Sequence, residues 1–244
     1  MRSPSLPLDG ASLTLEQLRR YERERPVVEL AAAARARMLE SEATVVATVE
    51  SGRTAYGINT GFGAFANRVI PAQKTKKLQL NLVRSHACGV GEPLPAALVR
   101  RMLLLKANNL AAGFSGVRPL VVDTLLALLN ADVLPVIPAQ GSVGASGDLA
   151  PLAHLALALI GEGEATVPAA AATEDRHTLT GIDVLHAAGL VPLELQAKEG
   201  LALLNGTQLS LSLALDGLFR AESLLDTSVI CCAMTVEGLA GSHA

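Results

Sequence analysis

The sequence predicts a mainly α-helical protein, and three observations carry that prediction. Half of the 244 residues are apolar but only 2% are aromatic, so Ala and Leu supply the core, and these favour helix over a pleated sheet. Apolar residues recur at helical spacing in several long segments, many of them closed by glycine. The stretch 198–238 keeps that pattern longest. The length suits one or two domains with a sizeable buried core.

Residues 13–20 and 27–50 are the first segments with helical spacing, the second opening after Pro26, whose fixed φ suits a first turn. Ser51-Gly52 stops it, and 53–65 follows as a loop holding Gly57, Gly61 and Gly63. Residues 73–88 and 95–112 read as two more helices, each closed by glycine, and 118–130 as another, ended by Ala131-Asp132 and the Pro135/Pro138 pair. A helix then starts with Asp148 in its first turn and runs to Ile160. The pattern lapses between Gly161 and Gly181, which predicts short strands or surface loop. From Leu193 the chain turns helical again, and 198–238 is expected as one long helix with Gly206 and Gly217 inside it. Its apolar part, 201–236, needs partners on most of its circumference, so either an oligomer covers it or the chain is part of a larger protein.

Several function classes are excluded early. The net charge is −3 without a basic block, which argues against nucleic acid or an anionic membrane as partner. The first residues lack an apolar signal core, 149–160 is too short for a bilayer, and 120–136 is broken by Asp123, Asn130 and Asp132. A cytoplasmic protein is therefore expected. Cys88, Cys231 and Cys232 form neither a metal spacing nor a disulfide framework. The five histidines show no ligand spacing, so no metal is expected, and His154 on an apolar helix is expected to be packed in the core.

The most informative stretch is Gly141-Ser-Val-Gly144-Ala145-Ser146-Gly147-Asp148. Its glycines permit tight or left-handed backbone paths. A phosphate loop would end in Gly-Lys-Ser/Thr and a dinucleotide loop would follow a β-strand, whereas here Asp148 stands where a lysine would help. No nucleotide is expected. Three other clusters invite chemistry. Tyr56-Gly-Ile-Asn59-Thr60-Gly61-Phe62-Gly63 is either a turn with an exposed ring or a mobile lid. Asn81-Leu-Val-Arg84-Ser85-His86 ends a helix, with His86 either a dipole partner or a ligand. Glu199-Gly-Leu-Ala-Leu-Leu-Asn205-Gly-Thr207-Gln208 places Asn205 and Gln208 three apart on one helical face, where they either satisfy backbone or point into a site.

Together with Gly113-Phe-Ser-Gly-Val-Arg-Pro119, these motifs resemble the aromatic amino acid ammonia-lyase family, colinearly over residues 8 to 244. The 141–154 signature is highly specific. The resemblance implies the ammonia-lyase/fumarase-aspartase-like helical fold. It places an N-terminal lobe with lid and cofactor loop in 1–195 and the incomplete start of a central helical bundle in 196–244. It also implies that Ala145, Ser146 and Gly147 cyclise unaided to 4-methylideneimidazol-5-one (MIO), an electrophile. In that ring closure the Gly147 nitrogen attacks the Ala145 carbonyl, and two waters leave, one from Ser146. Proximity enforced by a strained loop would supply much of the driving force.

The same resemblance implies elimination of ammonia across the α,β bond of an amino acid. Tyr56 matches the lid tyrosine of proton transfer, His86 the position that meets the substrate side chain, and Asn205 the amide on prosthetic group and substrate. Gln208 is a further substrate-binding candidate, and Asp148 is matched to polarising the Ser146 dehydration. The Ser85-His86 pair resembles the histidine-acting members, so L-histidine going to trans-urocanate is the expected reaction. A tyrosine or phenylalanine lyase or aminomutase, or a catalytically incompetent fragment, are the alternatives. The family further implies a homotetramer. Its members are about twice this length, and their later half supplies an arginine, a second tyrosine and a glutamate that have no counterpart here.

Overall fold

Thr14 and Gln17 exchange side-chain-to-backbone hydrogen bonds in a capping box, and this starts helix α1 (Leu15–Glu24). The computed structural model describes residues 4–61, 68–144, 147–169 and 175–241. Ala145, Ser146 and His243, and Phe62 and Gly63 of the expected lid, lie outside the described residues.

The helix expected over 27–50 is shorter than its apolar pattern. Strand β1 (Leu6–Leu8) pairs in parallel with β2 (Val28–Leu30), and only then does α2 (Ala32–Glu50) begin. Asn130 decides this: its side chain accepts from the Val28 N–H and donates to the Val28 carbonyl, occupying both backbone groups that a helix would use.

Helix α3 (Ala72–His86), strand β3 (Val90–Pro93), α4 (Ala96–Ala111) and α5 (Pro119–Asn130) follow. α4 is the centre of the molecule, buried along most of its length and packed on α5. Strand β4 (Leu134–Pro135) leads to β5 (Pro138–Gln140), which pairs antiparallel with β3. Helix α6 (Leu149–Leu159) is apolar all round and accordingly buried. The lapse after Gly161 resolves into the hairpin β6 (Glu164–Pro168) and β7 (Arg176–Thr180), with β4 on the other edge of β6. Asp132 ties this sheet to α4 by accepting from Arg100 and Arg176. The short α7 (Ile182–His186) completes the lobe.

The single helix expected over 198–238 is two. α8 (Glu199–Leu204) stops at Asn205, whose φ of −80° and ψ of 109° are extended, and α9 (Gln208–Gly238) begins after Gly206 and Thr207. Asn205 and Gln208 therefore do not share a helical face, as their spacing suggested. The break is set by tertiary partners: the Gly206 carbonyl accepts from the Asp148 N–H instead of continuing a helix. α9 is buried at Gln208, Leu209, Ser212 and Leu215, against α4, while Leu224, Leu225, Val229 and Ile230 further along are exposed. No helix among the described residues is long and apolar enough to cross a membrane.

Candidate active site

Gly147 has a φ of +98°, and a Cβ there would run into the Gly206 carbonyl oxygen. Only glycine fits this approach. The next residue seals the contact, because the Asp148 N–H donates to the Gly206 carbonyl at 2.7 Å. The Asp148 side chain is fully buried at the N-cap of α6, yet it makes no capping hydrogen bond to that helix. Its Oδ1 accepts from Ser142 Oγ at 2.8 Å and Ser210 Oγ at 2.7 Å, and its Oδ2 accepts from the Ser210 N–H at 2.8 Å. That last N–H lies in the first turn of α9, where an anion is favoured. One carboxylate thus closes the loop on itself through Ser142 and docks it on α9. In the sequence Ala145 and Ser146 lie between Ser142 and Asp148.

The opposing wall is the end of α8, a six-residue helix gripped by charges at both ends. At its N-terminus the buried Glu199 carboxylate accepts from the N–H, Nε and Nη2 of Arg118 and from the Gln196 N–H. At its C-terminus Lys106 Nζ, buried within α4, donates to the Ala202 carbonyl at 2.7 Å and the Asn205 carbonyl at 3.3 Å. Lys106 meets orphan carbonyls of the helix end, and a carboxylate at the N-terminus suits the helix dipole. α3 braces the side, with Gln79 Oε1 accepting from the Leu201 N–H at 3.0 Å.

His86 is the last residue of α3. Its Nδ1 lies 2.8 Å from the Leu82 carbonyl and 3.1 Å from Ser85 Oγ. A carbonyl can only accept, so this arrangement puts the proton on Nδ1 and leaves Nε2 as an acceptor. The ring borders a groove of about 480 Å³ that Gly61, Arg68, Ile70, Asn81 and Ser85 also line. Tyr56 sits in a turn that Asn59 closes by accepting from the Ala55 N–H and donating to the Arg53 carbonyl. Gly57 presses that turn on Leu201 of α8, and Tyr56 is 61% exposed.

His154 differs from expectation. It is half-buried, and its Nε2 accepts from the Gly89 N–H at 3.0 Å, tying the turn after His86 to α6. Burial pulls its pKa below the usual 6.5, and the accepted hydrogen bond needs the neutral ring. The stability this histidine contributes is present above about pH 6.5 and is lost as the pH falls through the depressed folded value. Thermal melts between pH 7 and pH 5 are expected to show a falling midpoint in the parent chain and a shallower fall in His154→Gln, which cannot take up the proton. Equal slopes would remove His154 from this role.

The loop on the α8–α9 junction, the turn of Tyr56 on α8 and the groove at His86 invite comparison with known proteins. The sequence model of the aromatic amino acid lyases matches residues 13–244. The chain belongs to the aromatic amino acid lyase family. Histidine ammonia-lyase of Anaeromyxobacter dehalogenans is 53% identical over 241 residues, covering 98% of this chain and 47% of that protein. The crystal structure of histidine ammonia-lyase from Trypanosoma cruzi superposes with a TM-score of 0.88 at 39% identity, over 98% of this chain and 45% of the other. Phenylalanine aminomutase of Pantoea agglomerans gives 0.87 at 31% identity, over 97% of this chain and 44% of the other. The chain spans less than half the length of these relatives.

In this member of the family the structure brings Gly147, Asp148, Gly206 and Gln208 into one cluster, with Asn205 exposed at its edge. Gln208 is buried against Gly206, and its Oε1 has no hydrogen-bond partner among the described residues. The groove beside His86 is separate: neither Asn205 nor Gly147 lines it. Among the described residues no cluster could hold a metal ion. Ser142, Ser210, Lys106 and the Arg118–Glu199 pair were missed from sequence. Ser210 lies 62 residues from Asp148, and no local signal joins them. Lys106 had a signal, a lone charge inside the otherwise apolar stretch 102–107.

Proposed function

We propose that this chain carries the electrophile-forming part of a histidine ammonia-lyase, which releases ammonia from L-histidine to give trans-urocanate. The observation that carries the reading is Gly147, held at φ +98° against the Gly206 carbonyl with no room for a side chain. Such a cradle suits a backbone amide that must bend back on Ala145, so the residues present fit the MIO group that the family implies. When formed, that group supplies the electron-poor centre on which the substrate is activated. Asp148 fixes the loop by its three hydrogen bonds and holds buried negative charge beside Ser142 and Ser210. The Asn205 amide and Gln208 are assigned to polar parts of the substrate, and the unpartnered Gln208 Oε1 supports this.

His86 borders a groove, and with its Nδ1 proton on the Leu82 carbonyl the neutral ring keeps an acceptor Nε2 that suits an imidazole N–H, which favours histidine over phenylalanine. Tyr56, on the glycine-rich turn, is assigned the proton at the β carbon once that turn closes. The proposal extends to a cytoplasmic homotetramer with a lobe over 1–195 and a bundle from 196. The exposed apolar residues of α9 support a covered bundle.

Intact mass tests the reading. The purified chain is expected to weigh less than its encoded mass by two waters, and Ser146→Ala to keep its full mass. The parent at full mass would overturn loop maturation. Offered histidine, tyrosine and phenylalanine separately, the full-length enzyme is expected to release a conjugated product from histidine; turnover of tyrosine alone would overturn the substrate assignment.

A further inference from the structure

We infer that Lys106 is a positioning residue for this site, its amine fixing the Asn205–Gly206 turn on which Gly147 and Asp148 are seated. The inference rests on the reading of 145–147 as the electrophile-forming segment. Lysine is seldom fully buried, and desolvating an ammonium is costly, yet Lys106 sits at 0% exposure in α4, a helix buried along most of its length. An apolar residue would fill the same volume without that cost. What the lysine adds is reach and donors. Its Nζ spans the Ala202 and Asn205 carbonyls, two groups that the end of α8 leaves without a helical partner.

From there the chain of contacts is short. Asn205 carries the amide proposed to meet the substrate, and its carbonyl is one of the two that Lys106 holds. The next carbonyl, Gly206, accepts from Asp148 N–H and abuts Gly147. A turn free to rotate at Asn205 would lose both contacts together. Burial lowers the Lys106 pKa to about 7, and the neutral amine still carries N–H donors, so the clamp survives either protonation state. Glu199, the carboxylate at the other end of α8, is occupied by Arg118 and leaves the lysine to its carbonyls.

Amide hydrogen exchange and intact mass on Lys106→Met test this. Methionine keeps the apolar stem and removes the donors. Exchange at the Asp148 amide and across 201–206 is expected to quicken by about tenfold or more, the worth of a hydrogen bond to a charged group, while α5 stays as protected as in the parent. The extent of two-water loss is expected to fall in the same samples. Unchanged exchange at Asp148, or an equal rise throughout α5, would overturn the inference, the latter by showing a purely global role. Should the variant not fold, the parent decides: the Asp148 amide and the α8 amides are expected to exchange as one unit, and independent exchange overturns the inference. A parent at full encoded mass would refute loop maturation, while the exchange data would still judge Lys106.

Discussion

Gly147→Ala is expected to leave the chain at its full encoded mass, with no loss of water, and to abolish the proposed ammonia release. Two effects act at one atom. A φ of +98° costs an alanine roughly 1–3 kcal/mol, and its Cβ would displace the Gly206 carbonyl. The Asp148 N–H to Gly206 bond, 2.7 Å long, then breaks or the α8–α9 junction moves. A combined cost of about 3 kcal/mol lowers the melting midpoint of a domain this size by about 10 °C. Intact mass and a thermal melt of the same sample read both. Normal two-water loss in this variant would show that the cradle is irrelevant to ring closure.

Glu199→Ala is expected to be the most destabilising change outside the loop. Glu199 is 1% exposed and takes four hydrogen bonds, three from Arg118 and one from the Gln196 N–H. Removing one partner of a buried pair costs roughly 3–5 kcal/mol, and the low end applies because Arg118 is a quarter exposed and can rehydrate. Urea unfolding should show the midpoint falling with an unchanged slope, corresponding to about 3 kcal/mol. A loss under about 1 kcal/mol would reduce the pair to the level of a surface ion pair. Because α8 ends at Asn205, the same variant is expected to weaken the proposed substrate binding at Asn205.

The helical segments were legible because their signals are local. α4, α5 and α6 follow from apolar spacing and their proline or glycine boundaries, and the hairpin of β6 and β7 fell where helical spacing lapsed. Two errors share one cause. The expected helices over 27–50 and 198–238 were broken by partners far away in sequence, Asn130 at Val28 and Asp148 at Gly206, whose hydrogen bonds outcompete one turn of helix. The misplacement of Asn205 and Gln208 on one face followed from the second error.

Composition, spacing and contiguous motif carry the helical class, the glycine-rich junction before α6 and the family. That Gly147 must be glycine because of Gly206, that Asp148 answers to Ser142 and Ser210, and that Lys106 and Glu199 grip the two ends of α8 emerges only on folding. These are contacts between buried polar groups distant in the chain. Their partners are fixed by the need to satisfy every desolvated charge, and that need appears only once the core has closed around them.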